Sequence, residues 1–183
     1  MENIVFEGKT DKGKNMLIRY PKIGDEHALV EYINSLSKEQ TFIRLQGEKL
    51  TLEDEKKWLE TQIEKIKNGQ SVQLLVFSED KLIGIAGVIL QDKIEKHVGS
   101  FGISVAKEER GQGIGKLLTE LVLKEAEKKL LNLKIIILGV FEGNDIAHKL
   151  YRKFGFVEYG RLPEGILHRG KYITRIYMHK KIK

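Results

Sequence analysis

Arg110-Gly111-Gln112-Gly113-Ile114-Gly115 joins an apolar segment that reads as a strand, Phe101 to Val105, to one that reads as a helix, Lys116 to Val122. Glycines at alternate positions let a backbone turn sharply and approach a ligand with no Cβ in the way. At a helix N-terminus the first N–H groups lack intrahelical partners, and the helix dipole adds partial positive charge. The chemistry such a turn suits is the binding of a phosphate or pyrophosphate. A second set of reactive side chains follows a later apolar run, Ile135 to Val140. It holds the carboxylate of Glu142, the amide of Asn144 and the phenol of Tyr151. These groups can accept a proton, cap a helix and donate a proton, respectively.

Three phosphate loops fail against these letters. The dinucleotide fingerprint G-x-G-x-x-G is broken by Lys116 at its sixth position, as is the kinase glycine loop. The nucleotide-triphosphate loop G-x-x-x-x-G-K-[ST] has Arg110 for its first glycine and Leu117 for its magnesium-binding hydroxyl. The pattern that does fit is [RQ]-x-x-G-x-[GA] between a strand and a helix. It resembles the pyrophosphate loop of the GNAT superfamily, the acyl-CoA-dependent N-acyltransferases. Asn144 to Phe156 resembles that superfamily's other signature, N-x-x-A-x-x-L-Y-x-x-x-G-F, through Asn144, Ala147, Leu150, Tyr151, Gly155 and Phe156. The resemblance covers roughly Ser71 to Lys181.

The resemblance implies an N-acetyltransferase with acetyl-CoA as co-substrate. It implies that backbone N–H groups around Arg110, Gly111, Gln112, Gly113, Ile114, Gly115 and Lys116 hold the pyrophosphate. It implies a pantetheine arm along Ile103 to Val105, with an oxyanion donor near Val105. The Lys116 ammonium and the Thr119 hydroxyl are either further contacts or ordinary helix surface. Asn144 is an N-cap, a pantetheine contact, or both. Tyr151 shares helical spacing with Ala147, Leu150 and Phe154, which reads as core. The motif position instead implies that it donates a proton to the departing CoA thiolate. Glu142 is the first candidate for a base, with Glu48 and His97 as others. Members of the superfamily also act without a dedicated base. Segments Tyr32 to Glu55 and Leu162 to Lys171 are expected to flank the acceptor. That acceptor is a small-molecule amine or amino acid, with a protein N-terminus or lysine as the alternative. A non-catalytic acyl-CoA-binding module is the rival outside enzymes.

At 183 residues the chain is expected to form one domain over residues 1–183. Apolar residues make up 41% and charged residues 32%, and no run approaches a membrane span. The absence of cysteine excludes disulfides, a thiolate nucleophile and cysteine-held metals. The start Met1-Glu2-Asn3-Ile4 lacks the pattern of a secretory signal, so the cytoplasm is expected. Net charge is +6, which suits an acidic ligand. Lysines alternate with glutamates in the helices, and only His179 to Lys183 is densely basic, so no nucleic-acid or membrane partner is expected. A homodimer is compatible with this chain. His97, His148, Asp145 and Glu142 lack metal-site spacing, so no metal is expected.

The elements that must position these groups follow from periodicity. Ile4 to Phe6 and Met16 to Tyr20 read as paired strands. Asp25 is expected to cap a helix with Ala28, Leu29, Tyr32, Ile33 and Leu36 on one face, and Thr51 a second with Leu52, Leu59, Ile63 and Ile66 buried. Gln70 to Phe77, Lys81 to Leu90 and Val98 to Val105 form a meander. The loop helix buries Ile114, Leu117, Leu118, Leu121, Val122 and Ala126. Ile135 to Leu138 is the continuous apolar run of a strand covered on both faces. The strands Phe156 to Gly160 and Tyr172 to His179 are expected to flank a loop containing Leu162-Pro163-Glu164-Gly165. The order ββ-α-α-βββ-α-β-α-ββ is α+β, a mixed, mostly antiparallel sheet with helices on both faces. It matches the GNAT fold, in which the fourth and fifth strands splay apart.

Overall fold

A computed structural model describes residues 3–182. Met1, Glu2 and Lys183, the ends of the expected domain and of the basic tail, lie outside the described residues. Among the described residues eight strands form one sheet: β1 (Ile4–Lys9), β2 (Asn15–Arg19), β3 (Ser71–Ser78), β4 (Lys81–Leu90), β5 (Val98–Val105), β6 (Ile135–Phe141), β7 (Val157–His168) and β8 (Lys171–Lys181). Their order is β1-β2-β3-β4-β5-β6-β8-β7, and every neighbouring pair is antiparallel except β5–β6. The helices are α1 (Glu26–Glu39), α2 (Leu52–Lys67), α3 (Ile114–Lys129) and α4 (Asp145–Lys153).

The parallel β5–β6 ladder is short. Val98, Gly99 and Ser100 pair with Ile135, Ile136 and Ile137, and pairing stops there. Beyond it Phe101 to Val105 keeps β4 as its partner and Leu138 to Phe141 keeps β8. The sheet therefore opens along its middle. The two strands expected to splay are these, fifth and sixth in chain order because β1 and β2 precede the helices.

Register fixes the faces of the sheet. Gln73, Gly87, Gly102 and Ser100 share one face with Ile137, Gly139, Phe141, Arg175 and Tyr177. Helices α1 and α2 cover that face, through Tyr32 Oη to Ser104 Oγ at 2.9 Å and Ser71 Oγ to Gln62 Oε1 at 3.3 Å. Phe101, Ile103, Val105, Leu138 and Val140 point the other way. Tyr151 of α4 packs on Phe101 there, and the start of α3 lies against Val105. Covered on both faces, β3 is buried over nearly its whole length.

Three local expectations change. Asp25 stands at the start of α1 but makes no side-chain cap. Its carboxylate instead takes both Arg19 guanidinium nitrogens, at 2.7 and 2.8 Å, in a buried pair beneath which Arg19 covers the Phe77 ring. A buried pair needs the charge as well as the hydrogen-bonding shape. Asp25→Asn, which would serve equally well as a cap, is therefore expected to destabilise the fold by on the order of 3 kcal/mol. Urea unfolding measures this, and a near-neutral variant would show the charge of the pair to be dispensable.

On α2 the Thr51 capping box forms as expected, but Leu52 is exposed. Glu55, Leu59 and Gln62 are the buried positions, with Trp58 half-buried beside them. Finally, Pro163 does not end a strand. β7 runs through it to His168, with a bulge between Leu162 and Ile166, and the turn falls at Arg169-Gly170, both at positive φ. β7 is the sheet edge, where a missing N–H costs no ladder bond. A two-residue turn with both φ positive suits the twist of a hairpin.

Candidate active site

The glycine loop closes β5 onto α3. Gly111 and Gly113 adopt φ of +73° and +79°, the left-handed region that only glycine enters freely. Gly113 is the N-cap residue of α3, so the N–H groups of Ile114, Gly115 and Lys116 form the helix's unpaired first turn. Lys116 is exposed at the rim. Thr119 is fully buried and its hydroxyl donates back to Gly115 O at 2.7 Å, so it is not turned toward a ligand.

Gln112 points inward. Its side chain is 2% exposed, accepts from Thr10 Oγ1 at 3.2 Å and donates to Glu109 Oε2 at 2.8 Å. Lys14 donates to Glu109 Oε1 at 2.7 Å and holds that carboxyl below its usual range. The β1–β2 hairpin thus braces the loop from behind. Gln112→Ala leaves Thr10 and Glu109 short of partners and is expected to cost about 1–3 kcal/mol. Thermal unfolding measures it, and an unchanged midpoint would show the brace to be idle.

Arg110 ties the loop to α1. Its Nε donates to Val105 O at 3.0 Å, and its two terminal nitrogens clamp Glu39 at 2.6 and 2.8 Å. The guanidinium keeps the Glu39 carboxyl below the ordinary carboxylate range.

A cleft of about 1180 Å³ passes through the opening between β5 and β6. On the α3 and α4 side it is lined by Ile103, Val105, Arg110, Gly111, Gly113, Ile114, Gly115, Lys116, Asn144 and Tyr151. Of the residues expected around the pyrophosphate, Gln112 alone is absent from this lining. Asn144 is the N-cap of α4, its side chain accepting from Ala147 N at 3.3 Å. Tyr151 is 7% exposed, packed between Phe101 and Phe156 at ring distances of 5.9 and 6.0 Å. Burial pushes its phenol up to about 12.

The three expected base candidates lie elsewhere. Glu142 is exposed, outside the cleft lining, and accepts from Thr174 N at 3.2 Å. Glu48 is exposed and accepts from Gln46 N. His97 is exposed at the closed end of β5, away from the opening. The carboxylates that do line the cleft, Glu39 and Glu109, are both paired to cations. Among the described residues no cluster of His, Asp or Glu could hold a metal, and no helix is long and apolar enough to cross a membrane.

On the α1 and α2 side the cleft is walled by Phe42, Ile43, Phe141, Ile166, Arg175 and Tyr177. Phe42 and Phe141 meet edge-on at 5.9 Å and enclose the His168 ring at 5.1 and 5.6 Å. This docks the segment after α1 onto the β7–β8 hairpin. The expected flanking segments are therefore both present, but the second is a pair of strands rather than a loop. Arg175 and the Glu39 clamp were not among the expected site residues. For Arg175 the signal was its alternation with Tyr177, which puts both side chains on one face of a strand; Glu39 lies 71 positions from Arg110, beyond any spacing rule.

The sequence pattern of the acetyltransferase (GNAT) family matches residues 32–156. An L-amino acid N-acetyltransferase of Escherichia coli (strain K12) is 28% identical over 107 residues, 58% of this chain and just under two thirds (65%) of that protein. An acetyltransferase of the GNAT family from Streptococcus pneumoniae superposes with a TM-score of 0.83 at 30% identity, covering 92% of this chain and 99% of the other. Ribosomal-protein-alanine N-acetyltransferase from Brucella melitensis superposes with a TM-score of 0.76 at 27% identity, covering 91% and 99%.

Proposed function

This chain belongs to the acetyltransferase (GNAT) family, and we propose that it is an N-acetyltransferase that moves the acetyl group of acetyl-CoA to the primary amine of a small molecule or amino acid by direct attack in a ternary complex. The observation that carries this reading is the cleft through the sheet, which joins the glycine loop on one face to an open acceptor mouth on the other. The N–H groups of the loop and of the first turn of α3 receive the pyrophosphate. The unpaired edge of β5 from Phe101 to Val105 offers backbone groups to the pantetheine amides, as an exposed strand edge does to a peptide. Asn144 stands beside that path while capping α4.

The amine nitrogen attacks the thioester carbonyl, a C–N bond forms and the C–S bond breaks. The nitrogen sheds one proton and the sulfur takes one. Tyr151 serves the sulfur. With its phenol near 12 and a thiol near 8.5, complete transfer from the resting phenol is uphill by about 5 kcal/mol. Its role is then to donate a hydrogen bond to the charge developing on sulfur, the proton balance closing as the nitrogen loses its own. The amine enters neutral. Glu142, Glu48 and His97 lie outside the cleft lining, and Glu39 and Glu109 are held by Arg110 and Lys14, so the proton that the nitrogen sheds on attack passes through water to the sulfur.

A pH dependence follows. kcat/KM is expected to rise from pH 6 to 10 as the amine deprotonates, with no descending limb, because Tyr151 stays protonated throughout. A descending limb near pH 9 that vanished in Tyr151→Phe would overturn this. The reading as a whole is tested by thiol release from acetyl-CoA against amino acids, polyamines, aminoglycosides and N-terminal peptides. Turnover with one primary-amine class is expected. Acetyl-CoA binding without transfer to any class would favour a binding module, and peptide-only turnover would favour protein acetylation.

A further inference from the structure

We infer that Arg175 is the carboxylate anchor of the acceptor, so that the substrate class is a free amino acid; this rests on the acetyl transfer proposed above. The guanidinium lies across Gly139 of β6. A Cβ at that glycine would sit 2.6 Å from Arg175 Nε and 3.0 Å from Nη2, so Gly139 is the vacancy that lets the side chain lie flat there. Gly139 is two residues beyond Ile137, the last β6 residue paired with β5. At strand spacing that is about 7 Å along the opening, within reach of a small amino acid whose nitrogen points into it. The guanidinium thus stands on the α1 and α2 side, opposite the glycine loop, where an acceptor has to enter.

No carboxylate among the described residues pairs with Arg175, and its recorded neighbour is the Tyr177 ring, 5.1 Å away. The two carboxylates of the cleft are spent on Arg110 and Lys14, whereas Arg44, Arg169 and Lys149 add positive charge to the lining. Such a field repels a polyamine and attracts an amine that brings its own negative charge. A guanidinium fork matches a carboxylate in two parallel hydrogen bonds. Phe42, Ile43 and Phe141 supply an apolar wall for the side chain of the same molecule.

The test compares each standard amino acid with its α-amide as acceptor, with acetyl-CoA saturating, in wild type, Arg175→Gln and Arg175→Lys. Wild type should prefer the free acid by about 10²-fold or more in kcat/KM, as a site built around a hydrogen-bonding group does. Arg175→Gln should abolish that preference through KM while keeping acetyl-CoA affinity by calorimetry. Arg175→Lys, which keeps charge without the fork, should recover part of it. Amides or polyamines serving as well as amino acids, or an unchanged preference in Arg175→Gln, would overturn the anchor. Calorimetric titration of the amino acids into CoA-loaded protein is the second readout. If no acceptor turns over and no amino acid binds wild type more tightly than Arg175→Gln, the anchor fails. If acetyl-CoA itself does not bind, it is the underlying transfer reading that fails.

Discussion

Tyr151→Phe is expected to lower kcat by about 10²–10³ at saturating acetyl-CoA and amine, the usual cost of removing one preorganised hydrogen-bond donor from a developing charge. Acetyl-CoA affinity should stay within a few fold. The substitution removes one oxygen and leaves the ring, so the contacts with Phe101 and Phe156 survive. That separates the two roles open to this side chain. A tyrosine present only to fill the core would keep its turnover as phenylalanine, because volume and apolar contact are conserved. A tyrosine that donates to the leaving sulfur would lose turnover with little change in unfolding. Steady-state kinetics beside a denaturant melt reads both, and an unchanged kcat would remove Tyr151 from the chemistry.

How much of this was legible in the sequence depended on whether the cause was local. The glycine loop, the Ile135 run and the helical stripe of α3 are local patterns, and the turn, the strand and the helix fall where periodicity places them. The expected burial holds only in part: β6 alternates, with Ile135 and Ile137 half-buried and Gly139 exposed on the face that borders the cleft, and Leu117 and Leu121 are half-buried. The opening between β5 and β6 was legible only through the family resemblance, because strand pairing is a long-range property. Three side chains are placed by partners that their local sequence does not show. Asp25 has the letters of a cap but is captured by Arg19, a partner on the preceding strand. Pro163 has the letters of a loop but lies in an edge strand, where its missing N–H is harmless. Glu142 lies close in sequence to Asn144, but its carboxylate is outside the cleft lining and accepts from Thr174 N of β8. In each case residue type was read correctly and the tertiary partner decided the role. Arg175 likewise depends on the packing of β8 on β6, which lays it over Gly139.

Gly113→Trp tests the other end of the cleft and should be the most damaging single change to donor binding. The φ of +79° is costly for any residue with a Cβ, by roughly 1–2 kcal/mol. A Cβ there would also come within 2.6 Å of the Asp11 carboxylate of the β1–β2 turn. The indole beyond it must then displace either that turn or the ligand. Two or three hydrogen bonds to a charged phosphate, at about 1.5–3 kcal/mol each, depend on the N–H groups that this residue presents. Together these make a loss of about 10³-fold in acetyl-CoA affinity the expected calorimetric result. Gly143→Asn is the control. It changes another glycine of positive φ, +86°, but one with open space around it and outside the cleft. Asparagine tolerates that region of backbone space, so binding should be preserved. Should Gly113→Trp bind acetyl-CoA as wild type does while Gly143→Asn also does, the pyrophosphate does not sit at the start of α3. The donor would then have to be sought along β5 alone. A loss confined to Gly113→Trp would fix the donor's direction through the sheet, from the loop past Tyr151 to the mouth where Arg175 stands.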